Sequence, residues 1–296
     1  MIHNVYDSFY VSKEGILMLG NQLHELKSGL NIIDELPWDL RSEVWSRTAG
    51  SLASDGVYMK TELPIEGINY YLKLSRYDSY RGIYGHESVN ELIASRLGKL
   101  LGFDVPEGFL KKCLVKIDDK EHDTYVFAAK SYKTNGSRVA FEDFYIDNRL
   151  SDKESPLELC KRFGWTDTIY KMFIFDYLII NRDRHGANLE VMKNGDIILS
   201  PFLDNGLSFV CSCVKESELT SFDIMEDRAV NNFIGDKRLE ANLKRIDKKI
   251  EFTEIKEEDL SEILTGLQTV LPESYLNIIH EIIWRRWQNV IQFRIV

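Results

Sequence analysis

Residues 181–188 read Asn-Arg-Asp-Arg-His-Gly-Ala-Asn, and residues 202–206 read Phe-Leu-Asp-Asn-Gly. Taken singly, such Asp, Asn and Gly residues suit turns, where their side chains bond nearby backbone. Together they supply an acid, an amide five residues later and a second acid beyond, three of the four polar groups that phosphoryl transfer needs. A hydroxyl attacking a γ-phosphate requires a carboxylate to orient it and take its proton, and Asp183 is the candidate base. Magnesium on nucleotide phosphates takes oxygen ligands, only one or two of them from protein, and Asn188 and Asp204 fit that requirement.

The intervening residues argue that these two groups meet. Asn194-Gly195 between apolar runs is a strong hairpin signal. With those residues as the turn, Lys193 faces Asp196, Asn188 falls opposite Pro201, and Asp204 lies just beyond the same open end, so one metal ion would bridge both. Upstream, Asp167 to Ile180 carries Ile169, Met172, Phe173, Asp176 and Ile179 at helical spacing, which predicts a buried helix delivering the loop.

The fourth group is a cation for the phosphates. Ile68 to Leu74 reads as a strand, and Lys73 within it is either a lysine snorkelling from an edge or a buried cation awaiting a carboxylate. His86 to Gly102 predicts a helix with Val89, Leu92, Ile93, Leu97, Leu100 and Leu101 on its apolar face; Glu87 and Glu91 share one flank, and either suits Lys73. Ala49 to Lys60 is small and contains glycine, yet it lacks both G-x-G-x-x-G and a P-loop signature. Backbone N–H groups in such a loop can still cradle phosphate. Thr124 to Tyr132 is the candidate hinge strand, with no residue singled out.

Asp183, His185, Asn188 and Asp204 resemble the HipA-like serine/threonine kinases, whose catalytic segment reads Asp-x-His-x-x-Asn before a metal-binding Asp. The same words look more distantly like phosphoinositide kinases. The family's Asn-Glu, opening a helix that ends Leu-Gly-x-x-Val-Pro, matches Asn90-Glu91 and Leu101-Gly102-Phe103-Asp104-Val105-Pro106, which favours Glu91 over Glu87 as partner of Lys73. The resemblance implies ATP and Mg²⁺ as cofactors. It places Asp183, Lys73 and Glu91 in catalysis, Lys73, Ser51, Ser54 and His185 at the nucleotide, and Asn188 and Asp204 on the metal. It also implies autophosphorylation of a serine in the phosphate loop, where Ser51 and Ser54 are the serines available. A phosphate there, about −1.5 to −2 in charge, would repel the nucleotide. The implied fold is α+β and bilobed, a small mixed β-rich N-lobe over a larger helical C-lobe. The corresponding division is a short N-terminal segment, 1–48, packed on the N-lobe, then the N-lobe at 49–133 and the C-lobe at 134–296. Family toxins phosphorylate aminoacyl-tRNA synthetases and pair with an antitoxin, so a translation component and an antitoxin are the implied partners. No motif in the chain encodes that choice.

Composition agrees with this frame. With 296 residues and 44% hydrophobic content the chain can bury two lobes, and Glu258–Val270 and Ser274–Phe293 predict helices near its end. The N-terminal segment to Trp45 carries Leu30, Ile32, Ile33, Leu36 and Trp38, enough to pack on the N-lobe, and is shorter than the extra subdomain of full-length HipA proteins. A formal charge of −10 argues against direct nucleic-acid binding and against approach to anionic membranes, which counts against a lipid kinase. Four cysteines without C-x-x-C spacing suit reduced thiols, and no apolar run is long enough to span a membrane, so a cytoplasmic location is expected. The competing readings are a phosphoinositide or small-molecule kinase and a nucleotide-binding pseudokinase; the latter would have lost a base or metal ligand, and both are present.

Overall fold

The alternation Leu72-Lys73-Leu74 and Val126-Phe127-Ala128 sends successive side chains to opposite faces of a sheet. The computed structural model, which describes residues 9–11, 17–19, 31–47, 58–65, 67–132 and 137–293, builds that sheet. Strands β1 (Phe9–Val11) and β2 (Leu17–Leu19) form a separate antiparallel pair. Then come β3 (Ile32–Leu40), β4 (Tyr58–Ile65), β5 (Ile68–Asp78) and β6 (Gly82–Tyr84), helix α1 (Glu87–Leu100), and strands β7 (Gly108–Ile117) and β8 (Lys120–Lys130). Their order is β3-β7-β8-β5-β4, with β6 also on β5. All neighbours run antiparallel except β3 and β7.

One face of this sheet buries Ile33, Trp38, Leu72, Leu74, Val126 and Ala128 in a small core of its own. The other presents Leu110, Phe127 and Ala129 to α1 and joins the main core. Lys73 pairs across the strands with Phe127, so it shares the face that looks toward α1. With β8 on one side and β4 on the other, Lys73 sits on an interior strand, and the snorkelling-edge alternative falls away. The residues before Trp45 contribute a full edge strand, β3, hydrogen-bonded to β7.

The second half is helical. It comprises β9 (Ser137–Ala140), α2 (Phe141–Asn148), α3 (Pro156–Arg162), α4 (Thr166–Ile179), β10 (Asp183–Arg184), β11 (Glu190–Asn194), β12 (Asp196–Leu199), α5 (Glu216–Leu219), β13 (Asn231–Asn232), α6 (Leu239–Leu243), α7 (Glu257–Ile263) and α8 (Glu273–Gln292). Helix α4 is buried almost all round, which its run of Ile, Met, Phe, Tyr and Leu requires, and α6 and α8 pack on it. Its end is abrupt because Ile180 adopts φ 53°, a left-handed conformation costly for a β-branched residue, and turns the chain into the 181–188 loop. The whole is an α+β, bilobed, kinase-like fold.

Two local expectations are corrected. The hairpin pairs Asn194 with Asp196 and Lys193 with Ile197, one residue out of the expected register. Gly195 alone turns the corner, at φ +79°, instead of the Asn-Gly pair. The helix expected over 258–270 stops at Ile263, because Gly266 takes φ +78° and the chain continues as a short 3-10 turn.

Candidate active site

Four elements converge at the cleft between the lobes. Strand β5 supplies Lys73, 6% exposed, and α1 supplies Glu91, whose Oε1 accepts from Lys73 Nζ at 2.8 Å. Glu91 Oε2 accepts the backbone N–H of Asn205 at 3.2 Å, so the same carboxylate ties α1 to the Asp-Asn-Gly turn. Glu87 instead faces Arg76, Oε1 to Nε at 2.6 Å. Asn90 completes the dock, its Nδ2 donating to the carbonyls of Gly206 and Ser208 at 3.0 Å each. An added Cβ on Gly206 would meet Glu87 Cβ at 3.3 Å, so this turn needs a small residue for α1 to lie so close.

Asp204 is held at φ 54° and meets two cations. Lys73 Nζ donates to Oδ1 at 2.5 Å, and Lys60 Nζ lies 3.8 Å from Oδ2. Burial alone would raise the Asp204 pKa; the charges of Lys73 and Lys60 and the Lys73 hydrogen bond reverse that and hold it well below the carboxylate range. Burial likewise works against the Lys73 charge, yet Asp204 and Glu91 outweigh it and keep the ammonium protonated.

Below the cleft, the 181–188 loop is fixed by Arg184, which is 1% exposed. Its guanidinium donates to Asp176 of α4 through Nε at 3.1 Å and Nη2 at 2.7 Å, to Asn205 Oδ1 at 2.8 Å, and to the carbonyl of Leu203. One buried cation thus locks the helix, the loop and the Asp204 turn together. Asp183 is half-buried, with His185 Nε2 3.8 Å from its Oδ2 and Asn231 Nδ2 donating to its Oδ1 at 3.2 Å. Asn231 arrives through the parallel pairing of β13 with β10. The Asn188 side chain donates to the backbone carbonyl of Asp183 at 2.8 Å and makes no hydrogen bond to Asp204.

About 610 Å³ of space, counting the open solvent at its mouth, lies in the cleft. Its apolar part is Pro106, Phe127, Ala129 and Leu203, and its polar part includes Lys60, Lys73, Glu91, Glu190 and Asp204. Residues 130–132, at the end of the expected hinge strand, line its rim; there Tyr132 Oη and Arg138 Nη1 both donate to Glu190 Oε2, at 2.8 and 2.6 Å. Ser51 and Ser54 lie outside the described residues.

Of the sequence candidates, the structure brings together Lys73, Glu91 and Asp204 in one cluster, and Asp183, His185 and Asn188 in a second on the loop beneath it. Lys60, Arg184, Glu190 and Asn231 are participants that motif reading passed over. Lys60 and Asn231 follow no local pattern, whereas Arg184 sits inside the quoted motif and its burial was the missing fact.

No protein-family model and no curated protein matches the chain. Among solved structures it superposes on the Helicobacter pylori proinflammatory kinase CtkA with a TM-score of 0.59 and 15% identity, covering 88% of this chain and 97% of that one. At that identity the likeness speaks for the fold alone. HipA from Shewanella oneidensis MR-1, solved in its toxin–antitoxin complex with HipB and operator DNA, aligns over 96% of this chain and 67% of that one at 16% identity. Its TM-score is 0.39.

Proposed function

We propose that the chain is an ATP- and Mg²⁺-dependent kinase that phosphorylates serine or threonine hydroxyls of protein. The observation that carries this reading is the Lys73, Glu91 and Asp204 cluster in a cleft also lined by Pro106, Phe127, Ala129 and Leu203, with Asp183 on the loop that Arg184 ties to the Asp204 turn. A purine suits the slot of Pro106, Phe127, Ala129 and Leu203, and phosphates suit the lysines.

The donor set fits magnesium: a carboxylate held ionised by its neighbours in Asp204 and an amide oxygen on Asn188, whose nitrogen is already committed to Asp183. Among the described residues no three His, Cys, Asp or Glu side chains form a metal cage, so the remaining ligands would be phosphate oxygens and water. When bound, Mg²⁺ would neutralise charge on the β- and γ-phosphates. Lys73, held by Glu91, orients those phosphates. Asp183 accepts the proton of the attacking hydroxyl as its oxygen bonds the γ-phosphorus and the bond to the departing ADP breaks. Asn231 holds the Asp183 carboxylate in place for that transfer.

The acceptor class follows from the resemblance to HipA-like kinases, as does a toxin role with an antitoxin partner. Phosphoproteomics on cells expressing the wild-type or Asp183→Ala chain tests both. New phosphoserine or phosphothreonine sites and growth arrest with the wild type alone support the reading. Identical phosphoproteomes contradict it.

A further inference from the structure

The pairing of β4 with β5 contains an irregularity that places a second lysine on the cleft face. Tyr58 pairs with Arg76 and Lys60 with Lys73, so Met59 alone spans Leu74 and Ser75. Were the Tyr58–Arg76 register continued without the bulge, Lys60 would pair with Leu74 and point into the small core on the far side. A one-residue slip in register exchanges faces. The bulge therefore sets Lys60 and Lys73, two like charges, directly opposite each other on one face, an arrangement that costs stability in a sheet.

Lys60 is 3% exposed and lines the cleft. Among the described residues its anionic partner is Asp204, at 3.8 Å, beyond hydrogen-bond reach, while Lys73 takes that carboxylate at 2.5 Å. A buried ammonium with so distant a partner keeps most of its desolvation cost. Lys73 has both Glu91 and Asp204. Glu62 shares the β4 face two residues on but does not line the cleft.

We infer that Lys60 is a second phosphate-binding cation of the nucleotide site, one whose charge is answered by the ligand and not by the fold. The inference rests on the nucleotide reading above. Once Asp204 serves a metal, its carboxylate no longer answers Lys60, and the polyphosphate is the anion that replaces it. Lys60 would thereby do for the phosphates what a glycine-rich signature loop does elsewhere, which accounts for a cleft that works without such a motif.

The test is calorimetric titration of Mg·ATP, ADP and adenosine into the wild type, Lys60→Met and Lys60→Arg, with melting of each ligand-free protein. Wild type is expected to prefer Mg·ATP to adenosine. Lys60→Met should weaken Mg·ATP by about 10- to 100-fold, the loss of a charged hydrogen bond, and leave adenosine within about twofold. Lys60→Arg should recover much of that loss, and ligand-free Lys60→Met should melt at or above the wild-type temperature. Lys60→Met that binds Mg·ATP as the wild type does overturns the inference while the nucleotide reading stands. Ligand-free Lys60→Met melting more than about 5 °C below wild type also overturns it, because Lys60 would then be a structural cation. A wild type that binds neither Mg·ATP nor adenosine overturns the nucleotide reading itself, and this inference with it.

Discussion

Replacing Lys73 by methionine leaves Glu91 and Asp204 facing a shared buried space with no ammonium between them, since Lys73 is hydrogen-bonded to both, at 2.8 and 2.5 Å. Lys60, at 3.8 Å, is too distant to take its place. Breaking a buried ion pair from one side costs about 3–5 kcal/mol, so the variant should melt roughly 10 °C lower at pH 7. The pH dependence follows from Asp204. In the wild type its folded pKa lies below the unfolded value near 3.8, so the stability it adds is complete above that value and lost only as pH falls through the folded pKa. Between pH 7 and 5 it therefore contributes no slope. Without Lys73, burial pushes the carboxyl up, the folded state takes up a proton first, and acidification relieves the variant. The gap in melting temperature between wild type and Lys73→Met should accordingly narrow from pH 7 to pH 5, and adding Asp204→Asn should recover much of the loss. Differential scanning fluorimetry across that range measures it. A Lys73→Met protein that melts within a degree of wild type at both pH values would refute the reasoning about the cluster.

Three further outcomes are expected. His86 is buried against Tyr275, and burial with the nearby Arg76 charge lowers its pKa to about 4, so protonation of the unfolded chain should cost about 2 kcal/mol between pH 7 and pH 5; equilibrium denaturation should show a smaller acid loss in His86→Phe. Asn231→Ala removes the donor on Asp183 and should lower kcat about 3- to 10-fold in steady-state kinetics, with KM for ATP little changed. A Cβ on Gly98 would sit 2.4 Å from Val105 Cγ1, so Gly98→Ala must displace Val105 or α1 and should cost about 1–3 kcal/mol in urea titration.

How far the sequence told the fold depends on the length of each signal. Helix α4 and strands β5 and β8 are long runs whose apolar periodicity survives any neighbour, and they were legible. The hairpin was legible as a hairpin, but its register turned on whether Gly195 alone could take positive φ. The bulge that re-aims Lys60 leaves no trace in the letters of β4, because it is an extra residue in the partner strand. Asn231 reaches Asp183 across 48 residues of chain, and Arg184 reads as one more basic residue until it is found fully buried on Asp176. Local pattern shows which groups exist; long-range pairing decides which of them meet.

Transfer of the γ-phosphate from radiolabelled ATP to a mixed protein acceptor, compared between the wild type and Asp183→Ala with Mg²⁺ or with excess EDTA, tests the central claim most directly. The account predicts label on serine or threonine for the wild type with Mg²⁺, none with EDTA, and at least about a hundredfold less for Asp183→Ala despite undiminished ATP binding. Equal incorporation by both proteins, or none by a wild type that binds Mg·ATP, would contradict it.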